Sequence, residues 1–173
     1  MKKITNYFSL FVLLFASSCW YSTNNIDDDI SEPFIPTYQY EAVTMLRTEF
    51  ENSTTLEEAK PIEETGKIYV KDNFLFINQP NKGFHVFNNS DPSNPINMAF
   101  IKVLGSTDLS IKNNILYINN ATDLIAVKPD FSTNTIEVTK RVINTFPELV
   151  SPDRFSYHNT QPDEVIIDWI LTQ

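Results

Sequence analysis

The chain has a single cysteine, Cys19, which follows an apolar run and the small residues Ala16-Ser17-Ser18. A thiol placed there can be an acylated nucleophile, but it cannot complete an intrachain disulfide or a multi-cysteine zinc site. Other acid–base candidates are sparse. The only histidines are His85, at an alternating position of an apolar run, and His158, in a polar stretch near Asp153, Tyr157, Asp163 and Glu164. His85 reads as a packing or surface residue. The second group has residue types for a metal or acid–base cluster, but His158-Asn159-Thr160-Gln161-Pro162-Asp163 lacks the spacing of helical ligands. There is no G-x-S-x-G elbow, and three glycines in 173 residues leave nothing for a phosphate-cradling loop. Asp27-Asp28-Asp29 are consecutive, without the spacing or the glycine of a calcium loop, and read as a solvated acidic stretch. The expectation is a non-enzymatic protein with no catalytic residue, no metal and no cofactor.

The element that positions Cys19 is an export signal: Lys2 and Lys3, an apolar run over residues 8–15, then small residues. That run is too short to span about 30 Å of hydrocarbon, and no later segment approaches the roughly 20 apolar residues that spanning requires. The string Ala16-Ser17-Ser18-Cys19 resembles the lipobox of bacterial lipoproteins, in which the cysteine becomes the lipidated first residue. The lipobox usually carries Leu where this chain has Ala16. The resemblance implies a lipoprotein signal peptide over residues 1–18 and lipid attachment, palmitate included, at Cys19. It also implies a place in the bacterial cell envelope, at the outer membrane, with surface exposure open. An ordinary cleavable signal beside a cysteine is the alternative. Several acyl chains hold a protein on a membrane where one chain gives only marginal binding.

Residues 19–37, with three aspartates, Pro33 and Pro36, read as an acidic flexible tether. Trp20 and Tyr21 suit a membrane interface. With 22 acidic against 13 basic residues and a formal charge of −9, nucleic acid is not an expected partner. Contact with the membrane is expected through acylated Cys19.

Residues 38–173 carry an internal repeat. Ile68-Tyr69-Val70-Lys71-Asp72-Asn73-Phe74-Leu75-Phe76-Ile77-Asn78 returns 41 residues later as Leu109-Ser110-Ile111-Lys112-Asn113-Asn114-Ile115-Leu116-Tyr117-Ile118-Asn119. Two apolar runs around Asp-Asn or Asn-Asn describe a tight β-hairpin, since Asn and Asp tolerate positive φ where glycine is scarce. A third run (84–87 and 124–127) and a fourth (97–103 and 135–142) follow in each copy. Four short strands repeating at about 40 residues are the unit of a β-propeller blade. Between the third and fourth strands of the first copy, Ser90-Asp91-Pro92-Ser93-Asn94-Pro95 reads as a turn cassette.

These stretches resemble the LVIVD-repeat family of exported proteins, for which propeller-like β-structure is expected. Gly66-Lys67-Ile68-Tyr69-Val70-Lys71-Asp72-Asn73 looks like the family's strand–turn–strand, and residues 83–95 look like its hydrophobic core followed by Asp-Pro-x-x-Pro. In the second copy Asp123-Leu124 and the fourth strand survive, but the double-proline frame is lost. The resemblance implies fold and location and brings no general activity.

The expected fold is all-β: two four-stranded propeller-like blades, at about 66–105 and 106–143, with short flanking strands and little helix. Four blades are the usual minimum for a closed propeller, so two make an incomplete one. Residues 43–47 and 164–169 read as extra strands, and Thr54-Thr55-Leu56-Glu57 as a capping box opening one helical turn. Leu75, Ile77, Leu116 and Ile118 are expected at equivalent buried positions. The run Val165-Ile166-Ile167-Asp168-Trp169-Ile170-Leu171 is expected to dock on the repeats or on a partner. The functional expectation is an envelope interaction module with a protein partner. The alternative is a glycan-binding or small-ligand-binding surface lipoprotein, in which Trp20, Tyr21, Tyr157 or Trp169 stacks on sugar rings. Sequons at Asn52, Asn88 and Asn120 are expected to be accidental.

Overall fold

Alternating apolar residues and Asn- or Asp-rich turns build most of the chain, and the computed structural model describes residues 39–172. The signal peptide, Cys19, Trp20, Tyr21 and the acidic tether lie outside the described residues. In order, the elements are β1 (Tyr40–Leu46), α1 (Arg47–Glu51), β2 (Thr55–Glu58), β3 (Ile68–Lys71), β4 (Phe74–Gln79) and β5 (Gly83–Asn88). Then come β6 (Ile96–Lys102), β7 (Leu109–Lys112), β8 (Ile115–Asn120), β9 (Asp123–Asp130), β10 (Thr135–Val142) and β11 (Glu164–Leu171). Among the described residues the architecture is all-β apart from the five-residue α1. One sheet has the order β2-β6-β5-β4-β3, a second β10-β9-β8-β7, and β1 pairs with β11 as a separate ribbon. All pairings are antiparallel, and none of these sheets is closed.

The turn chemistry explains how a glycine-poor chain makes these hairpins. Asp72, Asn113 and Asn114 in the two repeated turns all have positive φ, a conformation Asn and Asp adopt at lower cost than most side chains. Gly83 is different, because its φ is +145° and an added Cβ would lie 2.1 Å from the Ile101 carbonyl oxygen. No side chain fits there. The cassette after β5 is the expected turn: Ser90 N–H donates to Asn88 Oδ1, and Ser93 N–H donates to Asp91 Oδ1.

Two expectations are corrected. Thr54-Thr55-Leu56-Glu57 does not open a helix; Thr55–Glu58 is β2, which pairs with β6 so that Leu56 lies opposite Ile101 in the core. The short helix lies earlier, and it buries Phe50. The second correction concerns the repeat. Register is conserved between the hairpins, with Ile68 opposite Ile77 and Val70 opposite Leu75 in one, and Leu109 opposite Ile118 and Ile111 opposite Leu116 in the other. Burial is not conserved. Phe76 and Asn78 are buried in β4 while Leu75 and Ile77 are half-buried; in β8 the buried pair is Leu116 and Ile118.

The cause is the way the sheets meet. One core holds Phe76, Phe84 and Val86 of the first sheet together with Leu116, Ile118 and Ile125 of the second. Successive side chains of a strand point to opposite faces. The face of sheet one that carries even-numbered β4 residues therefore packs on the face of sheet two that carries the counterparts of the odd-numbered ones. The sheets stack front to back. Each buried side chain of this size contributes about 1.5–3 kcal/mol through loss of apolar surface to water.

A second, smaller core contains Phe50, Leu104, Ala121, Val165 and Ile167, with Val43 and Met45 packed against it. It seats the β1–β11 ribbon on the Gly105 connection between the sheets and on the turn after β8. The carboxy-terminal apolar run therefore docks on the repeats through Val165 and Ile167, while Ile170 and Leu171 remain exposed.

Candidate functional site

The residues with acid–base chemistry are dispersed. His85 is fully buried in β5, edge-on to Phe100 at 4.8 Å between ring centroids, with Nε2 3.0 Å from Gln79 Oε1. Burial, reinforced by the charge of Lys60, pushes its pKa below the ordinary histidine value. The ring is a neutral packing element. His158 Nε2 lies 3.3 Å from Glu164 Oε2. Glu164 is held below the usual carboxylate range by the Gln161 N–H and then by His158. Asp153 does not join them. It ties its own turn, accepting hydrogen bonds from Ser151, Phe155 and Ser156 and from the Gln39 N–H. Asp153's partial desolvation is outweighed by these donors, led by the Ser156 hydroxyl, and its pKa is far below normal. Among the described residues no group of three or more His, Cys, Asp or Glu side chains is placed to hold a metal ion.

The strongest electrostatic feature escaped the sequence reading. Asp123, at the start of β9, has no exposed surface, and it accepts hydrogen bonds from Arg47 Nη2 at 2.6 Å and Arg141 Nη1 at 2.7 Å. Asn144 N–H adds a third at 3.2 Å. Burial opposes the charge, but the bonds from Arg141 and Arg47 outweigh it and hold the carboxyl below its ordinary range. Both guanidinium groups also lie over the Phe50 ring, 5.5 and 5.4 Å from its centroid. Arg141 Nη1 reaches Asn120 Oδ1 at 2.8 Å, so the side chain of the Asn120 sequon is fully buried and committed to an internal bond. This knot ties the ribbon and α1 to sheet two. Beside it lies a cavity of about 610 Å³, lined by Arg47, Thr122, Asn144 and Glu164 among others.

A second polar contact joins the sheets. Tyr69 OH donates to Asp108 Oδ1 at 2.6 Å and accepts from the Leu109 N–H at 3.2 Å, while Lys67 Nζ is 2.5 Å from Asp108 Oδ2. Burial, and then the bond to Asp108, push the Tyr69 phenol up to about 12.

Other open surface is apolar. Front-to-back stacking leaves one face of each sheet outside the shared core. On sheet one it presents Ile68, 62% exposed, and Val70, 65% exposed, beside half-buried Leu75 and Ile77. On sheet two, a groove of about 820 Å³ runs between Tyr117 and Leu124 on one side and residues 146–150 on the other. A smaller hollow of about 290 Å³ adjoins it, lined by Ile115, Ala126 and Val142 together with the same Tyr117 and Leu124. Trp169 takes no part as an exposed platform, because it is half-buried and its Nε1–H donates to the Leu149 carbonyl at 2.9 Å. Tyr157 is 78% exposed. No described helix is long and apolar enough to cross a membrane. Compared with known protein families, with curated proteins and with solved structures, the chain matches none.

Proposed function

We propose that this chain is an exported bacterial envelope lipoprotein, anchored by acyl chains on Cys19, whose β-domain is a non-enzymatic interaction module of two propeller-like blades. The observation that carries the reading is the lipobox-like Ala16-Ser17-Ser18-Cys19 set ahead of a β-domain with exposed apolar residues on both sheets, Ile68 and Val70 on one and Tyr117 and Val142 on the other. Acylation needs only the cysteine and its signal, and the acidic tether then holds the domain off a membrane whose anionic headgroups repel it. The blade reading is supported by two four-strand meanders in conserved register, stacked front to back, and by their resemblance to LVIVD repeats. On this reading the protein sits at the outer membrane, with surface exposure open.

The experiment is mass spectrometry of the protein purified from membranes, paired with fractionation of Cys19→Ala. The expected result is an amino terminus at Cys19 bearing acyl groups and loss of membrane retention in the variant. An intact free thiol, or unchanged retention in Cys19→Ala, overturns the anchor. A glycan-binding surface lipoprotein is the second reading, favoured by the exposed Tyr157 ring, since aromatic faces stack on sugars. A glycan array in which binding is lost with Tyr157→Ala would establish it over the first.

A further inference from the structure

The two outer faces are related to each other by the repeat itself. Ile68, Val70, Leu75 and Ile77 of sheet one hold the hairpin positions that Leu109, Ile111, Leu116 and Ile118 hold in sheet two. In sheet two those positions are the ones packed in the shared core, where Leu109, Leu116 and Ile118 are buried and Ile111 lies against them. In sheet one they face outward. The converse holds for the opposite faces. Phe76, Phe84 and Ile101, buried in sheet one, correspond by strand register to Tyr117, Leu124 and Val142, which line the open side of sheet two. The chain thus already contains one junction between these two surface types and leaves part of a half-junction open at either side: on sheet one Lys60 lies over the Phe100 ring beside fully buried His85, and the strip of Ile68, Val70, Leu75 and Ile77 is what stays outside.

We propose that the occupant of these half-junctions is a second copy of this chain, docked head to tail, with the outer face of its sheet one on the outer face of sheet two of the first copy. The partner identity rests on the interaction-module reading above and narrows it. The apolar strip of Ile68, Val70, Leu75 and Ile77 enters the groove and adjoining hollow beside Tyr117 and Leu124. Charge agrees with this placement. Within the chain, Lys67 meets Asp108 at equivalent hairpin positions. A head-to-tail junction brings Asp108 of one copy to Lys67 of the next, and both side chains are still more than half exposed. Such a junction joins unlike surfaces, so it closes as a ring or runs on as a filament. It also covers apolar residues that the two described sheets leave exposed.

The test uses the property that separates unlike from like surfaces. Sedimentation of the full chain in density-matched detergent is compared for wild type, Val70→Asp, Tyr117→Asp and an equimolar mixture of the two variants. Wild type is expected to sediment as an oligomer and each variant alone as a monomer. The mixture is expected to recover a dimer, because one sound junction remains between the intact face of each. A monomeric wild type, an unaffected Val70→Asp, or a mixture that stays monomeric overturns the proposal. The milder pair Ile68→Ser and Val142→Ser, at exposed positions, repeats the test should either aspartate variant fail to fold. A monomer that still partitions with membranes removes the second copy and leaves the anchored module. An oligomer of chains without acyl groups removes the anchor and leaves the junction.

Discussion

Lys67 and Asp108 stand 41 residues apart at the same place in two successive hairpins, and they meet with Nζ 2.5 Å from Oδ2. Contact between equivalent positions of neighbouring repeats arises when one unit is carried onto the next by a single displacement. The exposed ion pair itself contributes at most about 1 kcal/mol. Its geometric value is greater, because it fixes where Asp108 accepts the Tyr69 hydroxyl.

Tyr69 should titrate near 12, against about 10 for a free tyrosine. The folded value is raised, so the stabilising contribution is complete below pH about 10. It is lost as pH rises from there through the folded value. Spectrophotometric titration of tyrosinate formation, with Tyr69→Phe as the reference, identifies the group. In Asp108→Asn the Tyr69 value should fall part of the way, because burial remains. Titration near 10 in the wild type would remove the Tyr69–Asp108 bond from solution.

Asp123→Ala should cost about 3–5 kcal/mol, since it leaves Arg47 and Arg141 without their buried acceptor. Lys82→Ala, which removes an exposed pair with Asp168, should cost no more than about 1 kcal/mol. Asp123 has a lowered folded pKa, so its contribution is present above the unfolded value of about 3.9 and disappears as pH falls through the folded one. Urea midpoints across an acid pH series should therefore fall less steeply for Asp123→Asn than for wild type. Parallel curves would assign the acid loss to other carboxylates.

The strands and hairpin registers were legible because alternation and Asn-Asp turns are local. Ile68 to Asn78 and Leu109 to Asn119 align without knowledge of any long-range contact. The sequence is silent on which face of each hairpin lies inward. Front-to-back stacking inverts burial between repeats, so aligned Leu75 and Leu116 have different environments. The capping pattern at Thr54 was overridden because Leu56 gains more from burial opposite Ile101 than one isolated helical turn offers. The Asp123 knot joins positions 76 and 18 residues apart, beyond any local pattern. Asp123 was legible only as a survivor of the repeat.

The same inversion separates two leucines. Leu116→Ala should destabilise by about 2–5 kcal/mol, the range for truncation in a close-packed core. Leu75→Ala, on the half-buried face of sheet one, should cost clearly less, about 1 kcal/mol in the monomer. Chemical denaturation of the two variants at low protein concentration reads the difference. Equal losses would mean that both faces of sheet one are covered within a single copy.

The ribbon is the part of the domain with the fewest alternatives. Among the described residues strand β11 pairs only with β1, and its Val165 and Ile167 close the small core over Phe50 and Leu104. Arg47 N–H donates to the Asp163 carbonyl at 2.7 Å, and Asp168 Oδ1 accepts from Asn81 at 2.8 Å while Lys82 Nζ lies 2.5 Å from Oδ2. Deleting residues 163–173 would strip these contacts and turn β1 into an unpaired edge beside exposed apolar residues, a template for aggregation. The deleted chain should lose solubility on expression, whereas Ile167→Ala should stay soluble and lose about 2–5 kcal/mol. A deletion variant that remains soluble with an unchanged urea midpoint would show the two sheets to be self-sufficient. The ribbon would then be a dispensable appendage.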